Sequence, residues 1–214
     1  MEVTLITHSG NDLLVVNAAR VSFNKRKTVL DEADVKLIHY LAKNNHWTPF
    51  GHPQITLHLK VPIFVARQLM RSNVGIVYNE ESRRYVDYMP KFFSVSEFRG
   101  KADNKKQGST DSAIEDNERA IDIYKNATNA AVDAYNELLG LGVAPELART
   151  VLPVSSYTQF FMTASLAALA RVYNLRIDPH AQQEIRELAQ LIGNIMQDLY
   201  PVSWSVLTNE ASSI

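Results

Sequence analysis

Residues 54–71 read QITLHLKVPIFVARQLMR, and the hydrophobic period changes in the middle of the run. Ile55, Leu57 and Leu59 alternate with Thr56, His58 and Lys60, the two-residue period of a half-buried strand. Pro62 then stands where a first helical turn accepts proline. Beyond it Phe64, Val65, Leu69 and Met70 follow a helical spacing, which predicts a helix over Ile63–Arg71. One short run therefore contains both kinds of element, and the fold class turns on what surrounds it.

Upstream, Val3–Ile6 reads as a short strand and Ser9-Gly10-Asn11-Asp12 as a turn. Asp12 is expected to cap a short helix over LLVVNAARVSF. Asp31–Asn44 is amphipathic, with Val35, Leu37, Ile38 and Leu41 on one side and acidic residues near its start, where the helix dipole favours them. Downstream, Tyr78–Met89 is dense in polar and charged side chains. Ala102–Asp111 is a polar loop and the segment expected to be least ordered. Ser112–Leu139 reads as a long helix, with capping-box spacing at Ser112 and Glu115 and an apolar series from Ile114 through Ile121, Tyr124 and Tyr135 to Leu138. Gly140 and Gly142 end it. Pro145–Leu152 is a short helix stopped by Pro153. Tyr157–Tyr173 reads as another. Asp178-Pro179 is expected to open a last helix that runs to Tyr200 along Ile185, Leu188, Ala189, Ile192, Ile195 and Leu199, with Pro201 after its end. The balance is α+β: a helix-rich single domain, 1–214, around a small twisted antiparallel sheet. The helices at 31–44 and 112–139 are the candidates to cover the sheet.

Composition narrows the function. The chain has 214 residues, 46% hydrophobic and 21% charged, which excludes wholesale disorder and collagen-like or coiled-coil character. Lysine plus arginine is 22 against 23 for aspartate plus glutamate, a net charge of −1. The basic excess of a dedicated nucleic-acid or anionic-membrane binder is absent. There is no cysteine, so disulfides, thiolate metal sites and cysteine nucleophiles are excluded. Thr150–Ala170 carries no charge, but its Ser, Thr, Gln and Pro content reads as a buried helix with its entry turn rather than a membrane span. The first residues, MEVTLITHSGND, have no signal-peptide pattern, so the cytoplasm is the expected compartment.

Three segments carry chemistry. In Arg67–Tyr85, RQLMRSNVGIVYNEESRRY, Arg67 and Arg71 share a helix face. Arg83 and Arg84 follow beside Gln68, Asn73, Asn79, Glu80, Glu81 and Ser82. Converging guanidinium groups with a hydroxyl suit a phosphate, whereas charge alone favours a solvated helix end with surface ion pairs. Arg149, in ARTVLP, taken alone is a snorkelling arginine. In NLRIDPHAQ, at Asn174–Gln182, Arg176 lies between two helices. Asp178 reads as a plain N-cap and His180 as a satisfied core histidine unless it serves a site. His46 and His52 in HWTPFGH fit no metal-ligand spacing, so no metal is expected.

Taken together, AARVSF at Ala18–Phe23, HWTPFGH at His46–His52, PIFVARQLMR at Pro62–Arg71, NEESRRY at Asn79–Tyr85, LARTVLP at Leu147–Pro153 and NLRIDPHAQ at Asn174–Gln182 resemble, in order, the flavin-dependent thymidylate synthases. The resemblance implies conversion of dUMP to dTMP, with methylenetetrahydrofolate as one-carbon donor, reduced FAD as hydride source and NADPH to reduce the flavin. It also implies a homotetramer whose active sites are shared between subunits. The absence of cysteine agrees, because the unrelated thymidylate synthase that attacks the pyrimidine with a thiolate is excluded. By resemblance, Gln68, Arg71, Glu80, Ser82, Arg83, Arg84, Arg149 and Arg176 contact dUMP, and Arg176 favours the ionised, more nucleophilic pyrimidine. A fixed cation in a dry site is suited to that. Ser22, His46, Thr48, Arg71, Asn73, Glu80 and Arg171 are expected near FAD. Ser82 is expected to bind phosphate rather than act as a nucleophile, since no adjacent base is evident.

The chain departs from the family pattern in four places. Where the family carries Arg-His-Arg, this chain has Arg71-Ser72-Asn73, and the interval to Asn79 is one residue longer. Asn73 donates a hydrogen bond but supplies no charge. Ser165 and Ala167 replace asparagine and arginine, and Arg171 replaces an asparagine, which makes it the candidate to restore charge at the flavin. Arg83 replaces a glycine. These departures motivate an alternative, a nucleotide-binding paralogue with weak or no flavin-dependent turnover. A single-strand nucleic-acid binder using Tyr78, Tyr85 and Tyr88 as stacking platforms is disfavoured by the net charge.

Overall fold

The computed structural model describes residues 1–85, 88–102 and 108–209. In chain order the elements are β1 (Glu2–His8), α1 (Asp12–Ala19), α2 (Glu32–Lys43), β2 (Gln54–Pro62), α3 (Ile63–Leu69), β3 (Ile76–Glu80), β4 (Arg99–Lys101), β5 (Ser109–Ala113), α4 (Asn117–Gly140), α5 (Pro145–Ala148), β6 (Tyr157–Ser165), α6 (Leu166–Arg176), α7 (Gln183–Leu199) and α8 (Pro201–Asn209). Short 3-10 turns occupy Val21–Phe23, Thr48–Gly51 and Arg149–Val151. The α+β class is as the sequence predicts. A four-stranded sheet has the order β1-β2-β6-β3, and β4 and β5 form a separate antiparallel pair. The sheet is antiparallel: Ser9 N donates to Gln54 O, and Ser165 N to Gly75 O while Glu81 N donates to Gln159 O.

Two compact units emerge from the chain. The first contains Met1–Leu59, Gln68–Asn79 and the described residues of Phe160–Ile214; the second contains Lys60–Arg67 and Glu80–Gln159. In the first, α6, α7 and α8 pack on one another, α8 also packs on α2, and α7 packs on β1. Val15, Ile38, Leu57, Leu166, Leu188 and Met196 are fully buried there. In the second, α4 packs against α5, and Tyr135 and Ala148 are fully buried.

The best-read element is α2. Asp31 accepts from Asp34 N and Asp34 accepts from Asp31 N, a reciprocal capping box. Asp34 is fully buried and faces Arg20 at 2.5 Å and Lys27 at 2.9 Å, so the charge is compensated. β2 alternates as predicted, with Ile55, Leu57 and Leu59 buried. Pro62 ends the strand rather than starting the helix.

Five predictions need correction. Asp12 is not the cap of α1; Asn11 is, accepting from Leu13 N. Asp12 instead accepts from Val202 N and Ser203 N, both at 2.9 Å, so it caps α8. That helix was missed because Pro201 reads as a stop, whereas proline also suits the first turn of a new helix. Tyr157–Ser165 is a strand, β6, and helix begins only after it, with Ser165 accepting from Ala168 N. Ser112 lies in β5 and α4 starts at Asn117 after Asp116, so the Ser112–Glu115 spacing caps nothing. Asp178 does not open α7, which starts at Gln183 after Gln182; the Asp178 side chain accepts from His180 N at 2.7 Å, a local turn. The flanks of the predicted loop at 102–111 include β5, and residues 103–107 of that expectation lie outside the described residues.

Candidate functional site

The predicted site residues fall into two groups, one in each unit. In the second unit a pocket of about 350 Å³ is lined by Glu80, Ser82, Arg83, Arg149 and Thr158 among others. Glu80 stands at the end of β3, where β6 runs alongside it, and its Oε1 accepts from Thr158 Oγ1 at 2.7 Å. Its other carboxylate oxygen has no hydrogen-bond partner among the described residues. Glu81 accepts from Gln159 Nε2 and from Tyr88 Oη, which pins the loop after β3 to β6. Burial, together with that carboxylate, pushes the Tyr88 phenol up. Ser82 sits in a turn, its hydroxyl facing Arg84 N at 3.4 Å and its carbonyl accepting from Tyr85 N. Arg83 donates to Tyr88 O and lies over the Tyr88 ring at 5.1 Å. Arg149 enters from the turn after α5, its Nε donating to Glu146 O at 3.2 Å. Two cations, Arg83 and Arg149, thus line one concavity with the Glu80 and Glu81 carboxylates and the Ser82 hydroxyl; the guanidinium groups suit a phosphate and the carboxylates its polar attachment. Arg84 is the exception: it stacks over Tyr85 at 5.2 Å and does not line the pocket.

The second group is in the first unit, around the end of α3. Arg176, at the end of α6, donates from Nη2 to Gln68 O at 2.6 Å. Its stem lines a small apolar cavity with Leu69, Leu169, Val172 and Leu188. Its Nε is buried without a hydrogen-bond partner among the described residues. Burial, with a smaller push from Arg71, holds the Arg176 pKa below its usual value, while Tyr78 acts the other way. A guanidinium with its pKa lowered chiefly by burial and with a buried idle donor is a high-energy arrangement that an anionic ligand relieves. Tyr78 donates to Ser72 O at 3.0 Å, in the turn beyond α3, and burial pushes its phenol up to about 12. Gln68 donates to Gln182 Oε1 at 2.5 Å, tying α3 to the turn before α7.

The altered stretch at 72–75 has its own anchoring. Arg171 donates from Nη2 to Val74 O, and Ser165 N donates to Gly75 O. Gly75 has φ +75°, and a Cβ there would lie 3.2 Å from Ala168 Cβ, so the turn needs glycine both for its conformation and for its approach to α6. The extra residue is accommodated as a tight turn laid on α6, and Asn73 is exposed in that turn. Ser22 lies in the turn after α1. His46 and Thr48 follow α2, with the His46 ring edge-on to Tyr40 at 5.9 Å. Among the described residues no hydrogen bond links Ser22, His46 or Thr48 to Arg71 or Asn73.

Sequence reasoning missed Gln182, Thr158 and Gln159 as partners that position site groups. Gln182 closes a motif already singled out. The other two were hidden when β6 was read as helix. His180 pairs with Asp178 at the surface rather than in a core. Among the described residues, no three His, Asp or Glu side chains converge on a metal position and no helix is long and apolar enough to cross a membrane.

Residues 4–202 match the family model of the thymidylate synthase complementing protein, Thy1. A flavin-dependent thymidylate synthase of Thermosipho africanus is 41% identical over 201 residues, covering 92% of this chain and 86% of that protein. The Thermus thermophilus protein of the same description is 38% identical over 204 residues, covering 95% and 74%. Among solved structures, a UMP/dUMP methylase, PolB, from Streptomyces cacaoi bound with 5-Br dUMP superposes with a TM-score of 0.86 at 32% identity, covering 97% of this chain and 94% of that one.

Proposed function

The chain belongs to the thymidylate synthase complementing protein family, and from that premise we propose that it methylates dUMP to dTMP as a flavin-dependent thymidylate synthase. The observation that carries the reading is Arg176, a charged group whose buried Nε–H has no hydrogen-bond partner among the described residues, which invites an anion. Methylenetetrahydrofolate is the carbon donor in this reading, and NADPH reduces the flavin.

The residues fit an FAD pyrophosphate and isoalloxazine. Arg71 and Arg171 have no carboxylate partner among the described residues, and Ser22, Thr48 and Asn73 are exposed donors. In the proposal Ser22, His46, Thr48, Arg71, Asn73, Glu80 and Arg171 hold the flavin, which when bound supplies the hydride that completes the methyl group. Glu80, Ser82, Arg83, Arg84 and Arg149, with Gln68 and Arg71, hold dUMP. Glu80 is kept in one rotamer by Thr158, so it orients a ligand hydroxyl or ring N–H without entropic cost at the moment of binding. Arg176 donates Nε–H to the pyrimidine and stabilises the negative charge that makes C5 nucleophilic; because Gln68 O already fixes the guanidinium, little reorganisation accompanies the reaction. The ring C5–H is exchanged for C5–CH3, and its proton leaves to solvent or a nearby base. A homotetramer in the cytoplasm completes the reading.

The test is dTMP formation from dUMP, methylenetetrahydrofolate, NADPH and FAD, followed chromatographically. Product that depends on all four supports the reading. Tight dUMP binding with no product, under conditions where FAD is retained, favours the nucleotide-binding paralogue, whose support is the charge lost at Ser72-Asn73.

A further inference from the structure

A second concavity, wholly within the first unit, lies between the turn after α1 and the exposed side of α2, with a volume of about 680 Å³. Its walls carry Arg20, Lys25, Lys27 and Lys36, and no carboxylate side chain lines it. The charges divide into two kinds. Arg20 and Lys27 are neutralised by Asp34, and Lys27 also by Asp31. Lys25 and Lys36 have no carboxylate partner among the described residues. Two aromatic rings complete the walls: Phe23 is 73% exposed and Tyr40 is 57% exposed. An exposed phenylalanine ring beside ammonium groups that lack carboxylate partners offers one kind of ligand both apolar contact and charge pairing. The volume lies in the range of small-molecule sites.

The floor of the groove is held in shape. Asp34 is buried under it and fixes Arg20 from one side and Lys27 from the other. Asn17 exchanges hydrogen bonds with the backbone of Lys27, donating to its O at 3.0 Å and accepting from its N at 2.8 Å. Asn24 takes a left-handed conformation, φ 49°, that turns the chain between Phe23 and Lys25. The segment is therefore anchored at both ends while Phe23 and Lys25 project at its tip.

We infer that this groove binds an aromatic polyanion, the anionic end of a co-substrate, with an aromatic ring against Phe23 and Tyr40 and the negative groups on Lys25 and Lys36. The existence of the site rests on the groove itself; only the identification of its ligand as a co-substrate rests on the proposed function. Two co-substrates of that function share the chemistry: the adenosine phosphate half of NADPH and the benzoyl-glutamate tail of a folate.

Calorimetric titration of the FAD-loaded protein tests the assignment, with 2′,5′-ADP as one probe and p-aminobenzoyl-triglutamate as the other. One probe binds, its affinity falls steeply with added salt, and Lys25→Ala and Lys36→Ala each weaken it about ten-fold, while FAD retention and dUMP affinity stay at wild-type values. Phe23→Ala weakens the same probe without changing the salt slope. Which probe responds identifies the source. The inference is overturned if neither probe binds, if the lysine variants leave binding unchanged, or if they reduce FAD retention instead, which would give the groove to the flavin. Lysine-dependent probe binding in a protein that makes no dTMP would leave the site standing and remove the proposed function.

Discussion

Replacing Arg176 separates its possible contributions. Among the described residues the wild-type guanidinium makes one hydrogen bond, Nη2 to Gln68 O at 2.6 Å, and its Nε is idle. Arg176→Lys retains the charge and most of the stem but has no planar fork, so one amine must serve Gln68 O or the pyrimidine. The loss is one charge-assisted hydrogen bond in the transition state, about 1.5–3 kcal/mol, which is roughly 10- to 100-fold in kcat. Arg176→Ala loses the charge as well, and a fall of about 10²–10³ or more follows, the range for removing a donor aimed at developing negative charge. It also strips the stem from the cavity lined by Leu69, Leu169 and Val172, so the alanine variant melts earlier and the lysine variant does not. The assay is dTMP formation at saturating dUMP and FAD, with thermal melting of each variant and dUMP affinity by calorimetry. Arg176→Lys turning over at the wild-type rate would refute the assignment, because a diffuse positive charge would then be all the reaction needs.

Four further outcomes follow from the geometry. Arg171→Ala frees the turn at Val74 and removes a cation, so FAD affinity, read by flavin retention on dialysis, falls about ten-fold; unchanged affinity would assign Arg171 to the turn alone. Asp12→Ala leaves Val202 N and Ser203 N uncapped inside the protein and costs about 2–4 kcal/mol in urea unfolding; a loss below about 0.5 kcal/mol would mean that water replaces the cap. Gly193→Ala places a Cβ 2.5 Å from the Tyr173 ring, which stacks edge-on against Trp204. The overpacking, about 1–3 kcal/mol, outweighs the gain in helix propensity of about 1 kcal/mol, so the variant unfolds at lower denaturant. The Asp31 carboxyl is held down to about 2 by Lys27 and by Asp34 N; a depressed acid contributes stability above its ordinary value and loses it as pH falls through the folded one. Acid unfolding of the wild type therefore steepens below about pH 4, and Asp31→Asn flattens that limb; parallel curves would exclude the pair.

How far the sequence could be read depended on where each signal's partner lay. α2 was legible because its cap, its acidic first turn and its apolar side all lie within 14 positions of one another. β2 was legible because one side of it is buried and the other is polar. β6 was not, since Phe160 and Met162 are buried while Phe161 on the opposite face is also apolar, which erases the alternation and leaves a run that reads as helix. The role of Asp12 was invisible for another reason: the amides it accepts from are some 190 positions away. Local spacing at Ser112 and Glu115 misled because a hairpin at β4–β5 claimed the serine first. At the site, residue types pointed to a phosphate, and the flavin entered through the family resemblance of the motifs. What they did not convey was the packing beneath: Thr158 on Glu80, Gln182 on Gln68, Arg171 on Val74. Each joins segments far apart in sequence, and no periodicity marks such pairs.

The most direct test of flavin-dependent methylation is an anaerobic one. Protein loaded with FAD is reduced stoichiometrically, then mixed with dUMP and methylenetetrahydrofolate while flavin absorbance and dTMP are followed together. The account predicts that the flavin band returns only when both substrates are present, with one dTMP formed per flavin reoxidised. Flavin that stays reduced in the presence of bound dUMP, with no dTMP, would contradict it.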